Sequence, residues 1–206
     1  MEHGHQIHRF DYSTPVEETM EALHEVVKAG KARYIGASSM FARRFAKAQR
    51  AADVHVWTRF VSIQNHYNLV YREEEREMIP QCVDQGVAVL PRSPLARGLL
   101  AGNRTRTERL TTRANTDPFG DGLYTPEADF AVVERVAEVA AERGVPSAQL
   151  ALAWLWRKPG VTAPIVGATK AQHVEDAFAA GQLELSADEV ARIEEPYVPH
   201  RISGHE

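Results

Sequence analysis

The chain has 206 residues, of which 44% are hydrophobic and 25% are charged, the composition of a globular protein with a core of its own. The formal net charge is -4, so no basic field favours binding to nucleic acid or to an anionic membrane. The sequence has one cysteine, which excludes an internal disulfide framework and fits a reducing compartment. It has no run of the roughly 20 apolar residues that a membrane span needs, so a cytoplasmic protein without a membrane span is predicted.

The first helix is predicted over residues 11–30 from its end signals and its apolar spacing. Thr14 stands at the N-cap position, Pro15 follows at the first helical position, and Glu17 lies three residues past the cap. Gly30 ends the segment. The apolar residues that share one face are Val16, Met20, Leu23 and Val27.

Strands and helices then alternate to the end of the chain. Short apolar runs with β-branched residues predict strands at 6–9, 34–37, 60–64, 87–90 and 162–166. Helical periodicity predicts helices at 42–52, 72–85, 127–143, 146–157 and 171–180. A last helix begins at Ser186, where Glu189 completes a capping box. Residues 104–125 are polar and predict a loop.

The helix at 72–85 should bury Met78, Ile79, Cys82 and Val83 and end at Gly86. Cys82 is therefore interpreted as a small buried hydrophobe and not as a nucleophile.

Strands joined by helical crossovers predict an α/β fold with a parallel sheet. The first four strands start roughly 27 residues apart, a repeat that both an open doubly wound sheet and a β/α barrel show. Polar segments follow the strands, as at Ser38-Ser39 and Asn65-His66. In a barrel these strand ends form one ring, which is where binding sites are built.

Six segments carry recognisable motifs, in chain order. They are Gln-Ile-His-Arg-Phe-Asp at 6–11, Gly-Lys-Ala-Arg-Tyr-Ile-Gly-Ala-Ser at 30–38, Gln-Asn-His-Tyr-Asn at 64–68, Ser-Pro-Leu-Ala-Arg-Gly-Leu-Leu at 93–100, Gln-Leu-Ala-Leu-Ala-Trp-Leu at 149–155 and Pro-Ile-Val-Gly-Ala-Thr at 164–169. Together they resemble the motifs of aldo-keto reductases from the fourth barrel strand to the eighth. The tail at 196–200 resembles that of bacterial members.

This resemblance implies a (β/α)8 TIM-barrel family fold, of which the chain holds a partial barrel of about five βα units, strands 4 to 8. We expect a single, N-terminally truncated domain over residues 1–206, with a non-matching stub at 1–5. The family's catalytic aspartate, tyrosine and lysine come from the first three units, and none of the six tyrosines here stands at the position of the proton donor. Open barrel edges at 6–9 and 162–166 would then favour self-association.

The resemblance assigns His8 as the catalytic histidine that hydrogen-bonds and orients the substrate carbonyl. A strand-end histidine that satisfies only local polar groups is the structural alternative. Ser38, Ser39 and Gln64 match residues that hold the nicotinamide carboxamide, and their structural alternatives are a helix N-cap for either serine and a surface amide for Gln64. Arg92 stands where the family usually has an aromatic ring over the nicotinamide.

Two later segments match the rest of the cofactor site. The residues matching the loop over the pyrophosphate are Ser93, Leu95, Arg97 and Gly98. The residues matching the adenosine end are Gly167, Thr169, Lys170, His173 and Asp176. Lys170 precedes a helix and could meet a 2′-phosphate, so NADP(H) is favoured over NAD; a solvated surface lysine is the alternative.

The resemblance therefore implies an NADP-dependent reductase that acts on a small-molecule carbonyl substrate and is impaired in this chain, without metal, nucleic acid or membrane. A non-catalytic nucleotide-binding remnant or interaction module is the alternative from another class. His3, His5 and His8 also suggest the His-x-His ligands of a metal hydrolase, but no further ligand set accompanies them.

Overall fold

The structure, a computed structural model, describes residues 2–108, 110–111, 115–124 and 126–205. Its contacts divide the chain into two compact units. The first unit holds the residues up to 65, Glu74–Leu90 and the residues from 202 onward, and the second holds His66–Glu73 and Pro91–Arg201. The single domain expected over 1–206 stays a prediction. Within the described ranges, every helix is too short or too polar to cross a membrane.

The first unit is built on a parallel sheet, which confirms the α/β class. Its strands, hydrogen-bonded in the order β1-β2-β3-β4, are β1 (Glu2–Gln6), β2 (Ala32–Ser38), β3 (Phe60–Gln64) and β4 (Ala88–Val89). The helices that join consecutive strands are α1 (Val16–Lys28), α2 (Ala42–His55) and α3 (Met78–Gln85). A short 3-10 turn at Glu73–Glu75 precedes α3.

Strand β1 begins earlier than the sequence predicted. Residues 2–6 form the strand, and Gly4 and His5 pair with Tyr34 and Ile35 of β2. The predicted strand bounds of 6–9 were therefore wrong, and His8 lies beyond the strand end. His-Gly-His has little intrinsic strand preference, so its conformation is set by the ladder to β2.

Helix α1 shows why the face of a helix is easier to predict than its start. Val16, Met20 and Leu23 are buried as predicted. The predicted capping by Thr14 is wrong, because its hydroxyl donates to Asp11 Oδ2 at 2.6 Å and Pro15 occupies the cap without a side-chain bond. The Thr14 hydroxyl is used in a local turn with Asp11 and is therefore not available to cap the helix.

Helix α3 ends at Gly86, which adopts the left-handed conformation as predicted. Cys82 is fully buried, and desolvation, followed by the charge of Glu74, raises the pKa of its thiol to about 12. This confirms its assignment as an inert core residue. Val83 is 52% exposed, so its predicted inward placement was wrong.

A β-bulge shifts the register between β2 and β3. Ile35 pairs with Phe60, but the next residue, Gly36, pairs with Ser62, which leaves Val61 unpaired and exposed. From the bulge onward, every second residue from Gly36 shares a face with every second residue from Ser62.

Gln49 of α2 supports the strand at this bulge. Its Nε2 donates to the Phe60 carbonyl at 3.1 Å, and its Oε1 accepts from the Phe60 N–H at 2.9 Å. The buried amide thus satisfies both main-chain groups of the residue next to the irregularity.

The second unit is mainly helical in its described part. Its elements are a 3-10 turn at Ala96–Ala101, α4 (Pro118–Leu123), α5 (Pro126–Arg143), α6 (Ser147–Trp156), α7 (Ala171–Gln182) and α8 (Ala187–Glu194). Residues 150–155 of α6 are all buried, and α6 packs against α5, α7 and the 3-10 turn. A helix that is apolar on every side forms the centre of such a unit.

Two predictions in this unit have different outcomes. Ser186 and Glu189 form both bonds of the predicted capping box. Residues 162–166 do not form a strand, although Ile165 donates its N–H to the Pro91 carbonyl at 2.9 Å. Pro164 has no N–H to give to a ladder, which explains the absence of regular pairing. The predicted loop at 104–125 contains α4.

Candidate cofactor and substrate site

His8 lies two residues beyond β1 and its side chain is exposed. The main chain stays attached to the sheet up to the preceding residue, because Ile7 donates its N–H to the Gly36 carbonyl at 3.1 Å. His8 is therefore fixed next to a strand end while its ring remains free to meet a ligand, which a carbonyl-orienting histidine requires.

Ser38 and Gln64 are brought together at the ends of β2 and β3. The Ser38 hydroxyl donates to the Gln64 main-chain carbonyl at 2.6 Å, and the two residues are paired in the ladder. The alternative that Ser38 or Ser39 caps α2 is wrong, because Phe41 occupies the N-cap without a side-chain bond. Both serines are buried.

The strand ends of the first unit hold buried polar atoms without a partner among the described residues. They are Ser39 Oγ, both amide atoms of Asn65, and Gln6 Oε1. A buried donor or acceptor without a bond costs free energy unless a ligand or water satisfies it. A carboxamide offers one acceptor and two donors, so these residues fit the nicotinamide group that the sequence motifs imply.

Asn65 was not among the predicted site residues. It is fully buried and lies directly after Gln64, inside the motif at 64–68. The only signal in the sequence was an amide at a strand end, which is too common to identify a binding residue.

In the second unit, the predicted pyrophosphate segment has an unusual backbone. Ser93, Ala96 and Arg97 have positive φ angles of 53°, 49° and 56°, and Gly98 has a φ of 96°. Non-glycine residues rarely adopt this region, and such strain concentrates where a loop approaches a ligand. A Cβ on Gly98 would clash with the side-chain amide of Asn103.

Arg97 is held by an ion pair with Asp117. The two side chains form two hydrogen bonds, at 2.5 and 2.8 Å, and the Asp117 carboxylate also accepts from the Gly120 N–H at the start of α4. The hydrogen bond to Asp117 raises the pKa of Arg97. The guanidinium therefore joins the strained turn to α4.

Arg92 and Leu95 are half-buried. Arg92 pairs with His66 in a parallel bridge, and the Ser93 carbonyl accepts from Asn68 Nδ2 at 2.9 Å. Asn68 is itself buried, so its bond to the Ser93 carbonyl fixes the segment that begins at Arg92.

His66 is a second residue that sequence reasoning missed. Its Nε2 lies 2.9 Å from the Tyr124 hydroxyl, and its ring stacks on that of Tyr71. Desolvation, with smaller effects from Arg92, His200 and Arg97, lowers its pKa to about 3. Burial also raises the pKa of Tyr124. His66 and Tyr124 are therefore both neutral, and their hydrogen bond fixes Tyr124 near the end of the polar segment at 104–125.

The predicted adenosine residues lie on an exposed stretch that leads into α7. Gly167, Thr169 and Lys170 are exposed, and Lys170 occupies the N-cap of α7 without a side-chain bond there. The Thr169 N–H donates to His173 Nδ1 at 3.3 Å. Asp176 Oδ1 accepts from Gln149 at 2.9 Å and from Gln172 at 3.1 Å. Thr169 and His173 thus contact each other, while the carboxylate of Asp176 is engaged by two amides.

The described residues contain no group of three or more His, Cys, Asp or Glu side chains placed to hold a metal ion. His3 and His5 lie on β1. The structure therefore gives the metal-hydrolase alternative no support within its described part.

The motifs and geometry agree with the comparisons to known proteins. The model of the aldo/keto reductase family matches residues 5–197. An aldo-keto reductase of Fusarium vanettenii is 50% identical over 204 residues, covering 97% of this chain and 54% of the relative. The versiconal hemiacetal acetate reductase of Aspergillus parasiticus is 48% identical over 200 residues, covering 96% of this chain and 57% of the relative.

A protein of Schizosaccharomyces pombe named for an aryl-alcohol dehydrogenase activity is 46% identical over 204 residues, covering 97% of this chain and 56% of the relative. The chain thus spans a little over half the length of these curated relatives. All three relatives are fungal, so they lend no support to the bacterial assignment made from the tail.

Proposed function

This chain belongs to the aldo/keto reductase family, and we propose that it is an NADP-dependent oxidoreductase that reduces an aldehyde or ketone to an alcohol. The observation that carries the proposal is the cluster of buried, unsatisfied polar atoms of Ser39 and Asn65 at the strand ends, next to the Ser38–Gln64 bond. Such a cluster suits a ligand with a planar amide. We further propose that the parallel strands belong to a partial (β/α)8 barrel and that the protein is cytoplasmic.

In this proposal the residues of the first unit act on the reacting groups. Ser38, Ser39 and Gln64 fix the nicotinamide carboxamide, which presents one ring face to the substrate. His8 donates a hydrogen bond to the carbonyl oxygen and stabilises the charge that develops there. The bound cofactor supplies the hydride.

The residues of the later motifs are proposed to bind the remainder of the cofactor. Arg92 stacks on the nicotinamide through its planar guanidinium. Main-chain groups of Ser93, Leu95, Arg97 and Gly98 bind the pyrophosphate. Lys170, exposed at the N-terminus of α7, meets the 2′-phosphate, and this preference for phosphate makes NADP the better ligand. The other residues proposed to line the adenosine end are Gly167, Thr169, His173 and Asp176.

The proton that the alkoxide needs has no assigned donor among the six tyrosines. General acid catalysis is typically worth about 10²–10⁴-fold in rate, so we propose that turnover by the 206-residue chain is slow. The names of the relatives, a hemiacetal acetate reductase and an aryl-alcohol dehydrogenase, make aromatic aldehydes and ketones the first substrates to test.

Calorimetry with NADPH and NADH tests the cofactor assignment. We expect NADPH to bind more tightly and Lys170→Ala to weaken NADPH binding about tenfold, the effect of losing one charge-assisted contact. Lys28→Ala is the matched control, because Lys28 is also exposed and is paired only with Glu25 on α1. Equal affinity for both nucleotides, or an unchanged preference in Lys170→Ala, would contradict the assignment.

The second candidate function is that of a nucleotide-binding module without turnover, favoured by the unassigned proton donor. NADPH oxidation with a nitrobenzaldehyde separates the two functions. Turnover that His8→Ala abolishes supports the reductase, whereas NADPH binding without any turnover at high protein concentration supports the binding module.

A further inference from the structure

The segment that carries His8 is anchored at both of its ends. We call residues 7–12 the His8 loop. At its start, Ile7 bonds to the Gly36 carbonyl of β2. At its end, the Tyr12 hydroxyl donates to the main-chain carbonyl of His205 at 2.8 Å. His8 lies between these anchors with an exposed side chain.

Aromatic and cationic side chains reinforce the second anchor. The rings of Phe10 and Tyr12 meet edge to face, with centroids 5.1 Å apart. The guanidinium of Arg44 on α2 lies 5.2 Å from the Phe10 ring centre and 5.1 Å from that of Tyr12. Cation–π contacts of this kind restrict both rings, so the far end of the loop has a defined position.

The C-terminal residues that receive Tyr12 are themselves fixed. The His205 side chain is 8% exposed, its Nε2 lies 3.0 Å from Oε1 of the buried Glu74, and its ring meets that of Phe41 edge to face at 5.0 Å. A buried carboxylate needs such a partner. The His205 main chain is therefore a rigid acceptor for the Tyr12 hydroxyl.

Residues 202–205 lie outside the part of the chain that the family model matches, which ends at residue 197. We propose that residues 202–205 form a strap that positions the His8 loop, with Tyr12 and His205 as positioning residues for His8. The strap acts on catalysis only through the orientation of His8, so its catalytic effect, though not its structural role, rests on the proposed reductase function.

Tyr12→Phe is the sharpest test, because it removes only the hydroxyl that bonds to the strap. We expect the amide of Ile7, which bonds to the Gly36 carbonyl at the start of the loop, to exchange hydrogen roughly fivefold faster, the effect of losing one hydrogen bond of ordinary strength. The ring signals of His8 in NMR spectra should shift or broaden at the same time. Tyr34→Phe is the matched control, since Tyr34 is 57% exposed on β2, and it should change neither readout.

His205 provides a second, independent variant. His205→Ala leaves Glu74 buried without its partner and can destabilise the whole unit, so His205→Gln is compared with it, because the glutamine amide can donate to the same carboxylate. We expect exchange in the His8 loop to be fast in His205→Ala and largely restored in His205→Gln. Unchanged exchange at Ile7 in Tyr12→Phe overturns the strap.

The catalytic readout is kept separate from the structural one. If carbonyl reduction is measurable, Tyr12→Phe should lower kcat severalfold and leave the Kd for NADPH unchanged, because Tyr12 is not among the residues proposed to bind the cofactor. Faster loop exchange in a chain that reduces no carbonyl would support the strap and contradict the proposed function. A normal kcat in a variant with a mobile loop would contradict the positioning role.

Discussion

The Nε2 atom of His200 lies 2.7 Å from Oδ1 of Asp129, and the two side chains are 7% and 2% exposed. The same histidine donates its main-chain N–H to Oε1 of Glu73 at 2.8 Å, and the Tyr197 hydroxyl donates to that oxygen at 2.7 Å. The segment after α8 is thus held in the second unit by a histidine between two carboxylates. The hydrogen bond to Asp129 raises the pKa of His200 above its ordinary value of 6.5, and the negative charges of Asp129 and Glu73 act in the same direction. Desolvation opposes this shift without cancelling it.

The first prediction concerns alkaline pH. Because the folded state holds the proton of His200 more tightly than the unfolded state does, the stabilisation is fully present below pH 6.5 and is lost as the pH rises through the raised pKa. We expect the free energy of unfolding in urea to fall as the pH rises above 6.5. His200→Gln should remove this dependence, and His3→Gln, which alters an exposed histidine on β1, should retain it.

The same pair predicts a large effect of truncation. His200→Ala removes the cationic partner of a buried carboxylate, and we expect a loss of about 3 kcal/mol of unfolding free energy at pH 6. A loss below about 0.5 kcal/mol would show that Asp129 does not depend on this histidine, since changes of that size are typical of surface positions.

The second prediction concerns acidic pH and has the opposite sign. His66 is buried, and its pKa of about 3 lies well below the ordinary 6.5. Between these two pH values, His66 is protonated in the unfolded chain but neutral in the folded chain. The free energy of unfolding therefore falls as the pH drops from 6.5 towards 3, by up to about 1.4 kcal/mol per pH unit. His66→Phe should flatten this part of the profile.

Tyr124→Phe is the control for His66. It keeps the titrating ring but deprives Nε2 of the hydroxyl 2.9 Å away, so we expect a loss of about 1–2 kcal/mol at every pH with the acid slope retained. An acid slope equal in the wild type and in His66→Phe would show that His66 is protonated in the folded chain.

The sequence predicted what residue spacing alone determines and missed what depends on competing or distant contacts. The apolar spacing of Val16, Met20 and Leu23 identified the inner face of α1, because helical geometry fixes which residues share a side. The capping box at Ser186 was predicted for the same local reason. The start of α1 was missed, because Asp11 competes for the hydroxyl of Thr14 and spacing gives no measure of that competition.

The candidate site shows the same limit. The motifs placed Ser38 and Gln64 at strand ends, and the structure joins them. His66 could not be identified from sequence, because its burial depends on Tyr124, which is 58 residues away in a segment predicted to be a loop. Residues 162–166 were apolar enough for a strand, but whether a strand forms depends on a pairing partner, and Pro164 lacks the N–H for a ladder.

The third prediction concerns Gly36, where β1, β2 and β3 approach closely. Gln6 donates to Ser62 Oγ at 3.1 Å across this glycine. A Cβ at position 36 would clash with Ser62 Oγ and would lie 3.0 Å from the Ser62 carbonyl oxygen and 3.1 Å from Gln6 Cγ. Since the main-chain oxygen cannot turn away, we expect Gly36→Ala to cost about 1–3 kcal/mol in urea unfolding.

Gly4→Ala is the matched control on the neighbouring strand. A Cβ there meets no atom within 4 Å, and alanine restricts the unfolded chain more than glycine does, so stability should be unchanged or slightly higher. Equal losses in the two variants would mean that the close approach at Gly36 is not what requires a glycine.

The last prediction concerns the free edge of the sheet. Open edges were expected at 6–9 and 162–166; the second segment is not a strand, and the first edge is β1 at Glu2–Gln6. Among the described residues β1 pairs only with β2, and residues 3–5 are exposed. The strand has no lysine and no proline, the residues that commonly protect an edge, so a strand from a second copy can be added along it. We therefore expect light scattering to show a mass that rises with concentration in the micromolar range.

His5→Lys should lower this association, whereas Val54→Lys, which adds the same charge at an exposed position on α2, should not. A monodisperse monomer at every concentration, melting cooperatively, would contradict association through β1 and show that the edge is protected in another way.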